Sequence, residues 1–150
     1  MLYMARSLGE LNFSQLMEVY IEGTQGLLQA EQDFYQYLRE VFFTTPDAVY
    51  AIWQENGRYV SALRLEPYKD GLLLAALETA PEHRRKGYAE ALIRSILPDS
   101  GKVYSHVHKR NRPSLRLHEK CGFRRISETA AYLDGSVNDR CCTLCYDREL

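Results

Sequence analysis

Apolar residues recur along the chain in two periods, and each change of period marks a new element. Met1 to Arg6 reads as a short strand, after which Asn12 or Ser14 can cap a helix whose Leu16, Met17, Tyr20 and Ile21 share one face. A second helix carries Phe34, Tyr35, Leu38, Val41 and Phe42 at spacings of three and four and ends before Pro46. The period then drops to two. Ala48 to Gln54 and Tyr59 to Leu65 are rich in β-formers and are joined through Asn56-Gly57, a dipeptide that tolerates the positive φ angles of a tight hairpin. After a turn at Lys69-Asp70-Gly71, the nearly continuous apolar stretch Leu72 to Thr79 predicts a central strand covered on both faces and stopped by Pro81.

Gly87 to Leu97 carries the clearest helical stripe, Ala89, Leu92, Ile93, Ile96 and Leu97, with Glu90 one turn from Arg94 and with Pro98 and Gly101 to end it. Lys102 to Val107 reads as a strand and Arg112 to Cys121 as a helix, with Pro113 in its first turn and Gly122 as terminator. Phe123 to Tyr132 and Arg140 to Asp147 supply two more strands. The resulting order, β-α-α-β-β-β-α-β-α-β-β, predicts an α/β fold with a mixed sheet and helices on both faces, without internal repeat or linker.

At 150 residues, 45% hydrophobic and 26% charged, the chain is expected to form one domain over residues 1–150. The longest strictly apolar run, Leu72 to Leu77, is six residues, whereas a membrane-spanning helix needs about 20. Met1 to Arg6 lacks the basic start and apolar stretch of a signal peptide, so a soluble cytoplasmic protein with four reduced cysteines is expected. The net charge of −1 hides an asymmetry. Residues 1–82 carry 5 Lys and Arg against 12 Asp and Glu, and residues 83–125 carry 12 against 3. The middle of the chain is therefore expected to attract an anion.

Between the apolar strand and the clearest helix lies Pro81-Glu82-His83-Arg84-Arg85-Lys86-Gly87-Tyr88-Ala89. A helix amino terminus presents unpaired N–H groups and partial positive charge, and small residues keep that backbone accessible to a phosphate. Arg84-Arg85-Lys86-Gly87-Tyr88-Ala89 is similar to the acyl-CoA motif Gln/Arg-x-x-Gly-x-Gly/Ala of the GNAT superfamily of N-acetyltransferases. Asn111 to Phe123 resembles a second element of that family, Asn-x-x-Ser/Ala-x-x-Leu-Tyr-x-x-x-Gly-Phe. The resemblance covers residues 72–125. It implies a mixed, mostly antiparallel sheet flanked by helices, with acetyl-CoA as cosubstrate and acetyl transfer to a primary amine by direct attack in a ternary complex. It further implies that the amides from Arg85 to Ala89 hold the CoA pyrophosphate, with Arg84, Lys86 and Tyr88 in the same loop, and that backbone N–H groups near Leu77 to Thr79 hold the oxyanion.

On the second motif's helix, Asn111, Ser114 and His118 fall within about 60° of one another at roughly 100° per residue, flanked by Leu115, Leu117 and Cys121. Such a polar stripe on an apolar face needs partners, which a ligand can supply; Asn111 and Ser114 are accordingly expected at the cofactor. His118 stands where the family usually has a tyrosine that protonates the departing thiolate, which makes it the candidate general acid. An acceptor amine must lose a proton before attack. Glu78, a charge at the end of an apolar strand, is the first candidate base, with a pKa expected to be raised by desolvation. The second is His106, at a position where some family members carry a catalytic glutamate; it is expected to titrate near the ordinary histidine value of about 6.5.

Cys142 and Cys145 have the spacing of a metal or redox pair, yet residues three apart in a strand point to opposite faces, so no metal is expected. Few aromatics accompany the basic stretch, which argues against nucleic acid. An acyl-CoA-binding module without catalysis is the rival reading. The acceptor, a small molecule or peptide amine, is not specified by the sequence beyond a weak acidic hint at a cationic one. Oligomeric state stays open, a homodimer included.

Overall fold

The computed structural model describes residues 1–20, 28–97 and 101–149; Ile21 of the first expected helical face and Pro98 lie outside the described residues. Seven strands form one sheet. In chain order they are β1 (Leu2–Ala5), β2 (Val49–Glu55), β3 (Arg58–Tyr68), β4 (Gly71–Thr79), β5 (Lys102–His108), β6 (Arg124–Ser127) and, after the short pair β7 (Ala130–Ala131) and β8 (Val137–Asn138), β9 (Cys141–Asp147). Their order across the sheet is β1-β2-β3-β4-β5-β9-β6. Neighbours run antiparallel except β4 and β5.

One face carries α1 (Phe13–Val19) and α2 (Leu28–Tyr37), and the other carries α3 (Tyr88–Ile96) and α4 (Arg112–Lys120). Asn12 caps α1 by accepting from the Gln15 amide at 3.1 Å. Leu16, Val19, Leu38 and Phe42 bury against Tyr50, Ile52 and Ala62 on that side. On the other side Leu92, Ile93 and Ile96 of α3 meet Leu63, Leu65 and Leu74, and Phe123, Cys142 and Leu144 complete the core.

Three expectations need correction. The second helical stripe is narrower than its period suggests: α2 passes into a wider turn over Leu38–Phe42, closed by Phe43 N–H to Leu38 O at 3.0 Å. That turn lines up Leu38 and Phe42 and leaves Val41 52% and Tyr35 40% exposed. Phe123 to Tyr132 is not one strand, because after β6 the chain leaves the sheet and folds as the β7–β8 hairpin, turned at Asp134-Gly135 with Gly135 at φ 91°. Nor is β4 covered along its length. Leu73 and Leu74 are buried, but Ala76 is exposed and Leu77 to Thr79 are half-buried.

Gly71 is required at the start of β4, since a Cβ there would sit 2.4 Å from the Lys102 carbonyl oxygen. The two neighbouring strands begin pressed together and then part.

Candidate active site

β4 and β5 pair in register only from Leu72↔Val103 to Leu74↔Ser105. Immediately beyond, β4 carries a bulge: Glu78 opposes Ala62 and Ala75 opposes Arg64, so one more residue is accommodated on β4 than on β3. Ala76 takes φ 54°, a left-handed conformation that costs a non-glycine residue on the order of 1–3 kcal/mol. Tyr20 holds it there by donating its hydroxyl to the Ala76 carbonyl at 2.6 Å. A carbonyl only accepts, so Tyr50, 2.7 Å away, donates to Tyr20 in turn. Burial first, and the neighbouring Tyr50 second, push the Tyr20 hydroxyl well above its ordinary value; burial lifts Tyr50 to about 12. Ala80 N–H bonds to Val60 O on β3 at 2.9 Å. By the alternation of a ladder, the amides of Leu77 and Thr79 face the opposite way, into the gap beside β5.

The basic loop stands at the end of the same strand. Arg85 at φ 63° and Gly87 at φ 82° both take left-handed conformations, alternating with extended backbone at Arg84. Gly87 is the N-cap of α3, and a Cβ added to it would meet no atom within 4 Å, so open space lies over the amides that begin the helix. The residues present therefore fit a phosphate group. Arg85 and Lys86 are exposed, whereas Arg84 folds back onto β4, donating to Thr79 O and to Glu78 Oε1, both at 3.2 Å. Tyr88 and Ala89 are half-buried in the first turn of α3.

The polar stripe of α4 is satisfied internally. Asn111 is the N-cap and accepts from the Ser114 amide at 3.2 Å. His118 is 1% exposed, with Nδ1 2.7 Å from Ser114 O and Nε2 2.9 Å from Ser105 Oγ, and its ring stands edge-on to Phe123. Because a carbonyl cannot donate, Nδ1 carries the proton and Nε2 accepts from Ser105. Burial lowers the His118 pKa despite the Ser114 carbonyl, so the ring is neutral at pH 7. Both nitrogens are engaged inside the fold, an arrangement that presents no ring proton to a leaving group.

Glu78 and His106 stand on the α1–α2 face, Glu78 opposite Ala62 and His106 opposite Thr143. Glu78 is not desolvated as expected: its side chain is 42% exposed and paired with Arg84. His106 packs edge-on against Tyr68 and Tyr132, and its Nδ1 lies 3.1 Å from Thr143 Oγ1. The Thr143 hydroxyl donates to Thr129 O, which leaves its oxygen able to accept from His106; Nε2 is buried without a close hydrogen-bond partner among the described residues. Burial, and next the Lys69 charge, lower the His106 pKa below the ordinary value expected of it.

A cavity of about 300 Å³ opens on this face between α1, α2, β2, β3 and the bulge, lined by Met17, Tyr20, Phe34, Tyr50, Arg64 and Ala76 among others. Sequence reading did not find it. Tyr20 looked like one more apolar position of α1, and the one available signal was Arg64, a lone charge inside Tyr59 to Leu65. Among the described residues no cluster of three or more His, Cys, Asp or Glu side chains is gathered as for a metal, and Cys142 and Cys145 stand on opposite faces. No described helix is long and apolar enough to cross a membrane.

Known proteins carry the same architecture. A GNAT family acetyltransferase from Bacillus cereus superposes with a TM-score of 0.67 at 17% identity, over 98% of this chain and 97% of that one. The ribosomal-protein-S18-alanine N-acetyltransferase from Escherichia coli gives 0.64 at 16%, over 97% and 93%. PaiA N-acetyltransferase from Thermoplasma acidophilum, solved in complex with coenzyme A, gives 0.64 at 13%, over 98% and 99%. Curated proteins give no sequence match. At such identities the superpositions speak for the fold, and the sequence itself supplies the family: the acetyltransferase (GNAT) family model matches residues 13–123. That span runs from α1 through the bulged strand and the glycine loop to the end of α4, and the chain belongs to the GNAT acetyltransferase family.

Proposed function

We propose that the protein transfers an acetyl group from acetyl-CoA to a primary amine by direct attack, with the amine held in the cavity under α1 and α2. The observation that carries this reading is the bulge at Ala76, which is at once a wall of that cavity and the head of the gap between β4 and β5. Acetyl-CoA supplies an acyl group already activated as a thioester. The amides from Arg85 to Ala89 hold its pyrophosphate, with Arg85 and Lys86 adding positive charge. The Leu77 and Thr79 amides stabilise the negative charge that develops on the thioester oxygen, as preorganised donors do. Asn111 and Ser114 shape the start of α4 beside the gap.

The ammonium must lose one proton before its nitrogen can attack, and Glu78 receives it, directly or through water, while Arg84 fixes the carboxylate at the end of β4. As the C–N bond forms and the C–S bond breaks, the nitrogen loses a second proton, which ends on the departing thiolate directly or through solvent. A lysine-like amine near 10.4 costs roughly 4.6 kcal/mol to deprotonate at pH 7, and an α-amine near 7.8 costs only about 1. His118 holds Ser105 and α4 in place, and a thiolate whose conjugate acid lies near 8.5 leaves without it.

Glu78→Gln keeps the side-chain shape and removes the base, so kcat/KM is expected to fall by about tenfold or more and to recover partly at higher pH. His106→Gln costs less. The opposite ranking transfers the role to His106, and small equal losses remove a side-chain base. If CoA binds and no amine consumes acetyl-CoA, the protein is a binding module.

A further inference from the structure

Arg64 is a cation placed where folding alone gives it little. It stands on β3 in register between Tyr50 of β2 and Ala75 of β4, next to the bulge. Its guanidinium carbon lies 5.1 Å from the Tyr37 ring centroid and 5.8 Å from that of Phe42, so two aromatic rings fix the group. Among the described residues the buried Nε has no hydrogen-bond partner and no carboxylate lies within ion-pair distance of the side chain. Glu31 lines the same cavity without pairing with it. A half-buried guanidinium left without an anion is costly, and planar donors of this kind match a carboxylate. Beside Arg64 and Glu31 the wall is Met17, Tyr20, Ala30, Phe34, Tyr50 and Ala76, which suits an apolar body about the size of one amino acid.

We infer that Arg64 is a specificity-determining residue that pairs with an anionic group on the acceptor, so that the substrate class is a small amino acid with an apolar side chain. This rests on the reading that the cavity holds the acceptor. The geometry orders the parts: the anion sits on Arg64 beside Ala75, the amine lies toward the bulge and the gap, and the side chain lies against Met17 and Phe34. The cavity then offers both signs of charge, with Arg64 for the acceptor's anion and Glu31 in the same wall.

The test compares L-methionine and L-phenylalanine with their decarboxylated amines, 3-(methylthio)propylamine and phenethylamine, and with the aminophosphonate analogue of phenylalanine. The unmodified protein is expected to prefer the amino acids by roughly 30-fold or more in kcat/KM. Arg64→Gln is expected to lose that preference, its kcat/KM for the amino acids falling to that for the simple amines, with thermal stabilisation by CoA retained, and Arg64→Lys to restore part of the preference. Turnover of the phosphonate in place of the carboxylates would make the anion a phosphonate or phosphate. Equal turnover of amines and amino acids by the unmodified protein overturns the inference. Binding of N-acetyl-L-phenylalanine to the CoA-loaded protein is measured beside it by calorimetry. Arg64-dependent binding without any turnover upholds the anion site and sinks the acetyl-transfer reading; no difference from N-acetylphenethylamine sinks the anion site.

Discussion

A histidine on an apolar helix face has to satisfy two ring nitrogens, and His118 does so within the fold, on Ser114 and Ser105. This separates two outcomes of His118→Phe. A proton donor to the leaving sulfur typically contributes 10²–10⁴-fold to rate. A positioning residue whose loss strands the Ser105 hydroxyl costs about 1–3 kcal/mol of stability instead. We expect the second, read as a lower urea midpoint with kcat per folded molecule changed less than about threefold; a hundredfold fall in kcat with unchanged stability returns the acid role to His118. Burial depresses the folded pKa of His118, so below the unfolded value of about 6.5 the unfolded chain binds a proton that the folded chain refuses. The stability tied to the neutral ring is therefore complete above that pH and is lost as pH falls toward the folded value. The drop in urea midpoint between pH 7.5 and 5 should be smaller in His118→Phe; His106, depressed in the same direction, accounts for a residual drop. The stripe Asn111, Ser114, His118 was legible in sequence, but its partners were not, because Ser105 belongs to a different strand.

Among elements, the loop and α3 were legible because their determinants are local: a glycine at the N-cap, cations before it, and an amphipathic period after it. β4 was legible only as an apolar run. Its bulge depends on Tyr20 and on the register with β3, neither of which a linear pattern displays. The same holds for the wide turn after α2, which rotates Val41 out of a stripe the spacing had included. The loop makes a sharp prediction. CoA at 100 times its dissociation constant stabilises the protein by about 2.7 kcal/mol. Gly87→Val places a branched side chain at φ 82° and fills the space over the α3 amides, costing roughly 1–2 kcal/mol of backbone strain and removing the CoA shift in a thermal melt. Among the described residues, its chain neighbours apart, no atom lies within 4 Å of the new Cβ, so the cost to the fold is the backbone strain. A variant that melts lower yet keeps the full CoA shift would take the loop out of the site.

On the scale of the molecule, the sheet divides the work between its faces and its two halves. Parallel pairing of β4 with β5 stops after Leu74 and Ser105, which opens the gap, and α3 with α4 cover one side of it while α1 with α2 roof the cavity proposed for the acceptor on the other. Ala76 is where these parts meet, and the hydroxyl chain from Tyr50 through Tyr20 to the Ala76 carbonyl ties the amino-terminal helices to the strand proposed to position the thioester. Removing one hydroxyl from that chain should misplace the reacting groups without emptying either half of the site. Tyr20→Phe is expected to lower kcat by about tenfold to a hundredfold, the scale associated with a displacement of about 1 Å. The CoA-induced thermal shift stays within experimental error of the parent, because the glycine loop lies beyond the bulge. Phe at position 20 keeps the ring contact with Phe34, so the packing of α1 against α2 is preserved. An unchanged kcat would mean that β4 holds its left-handed residue without help from α1. Loss of the CoA shift together with kcat would mean that the bulge organises the whole gap, cofactor side included, and that the two halves are not separable.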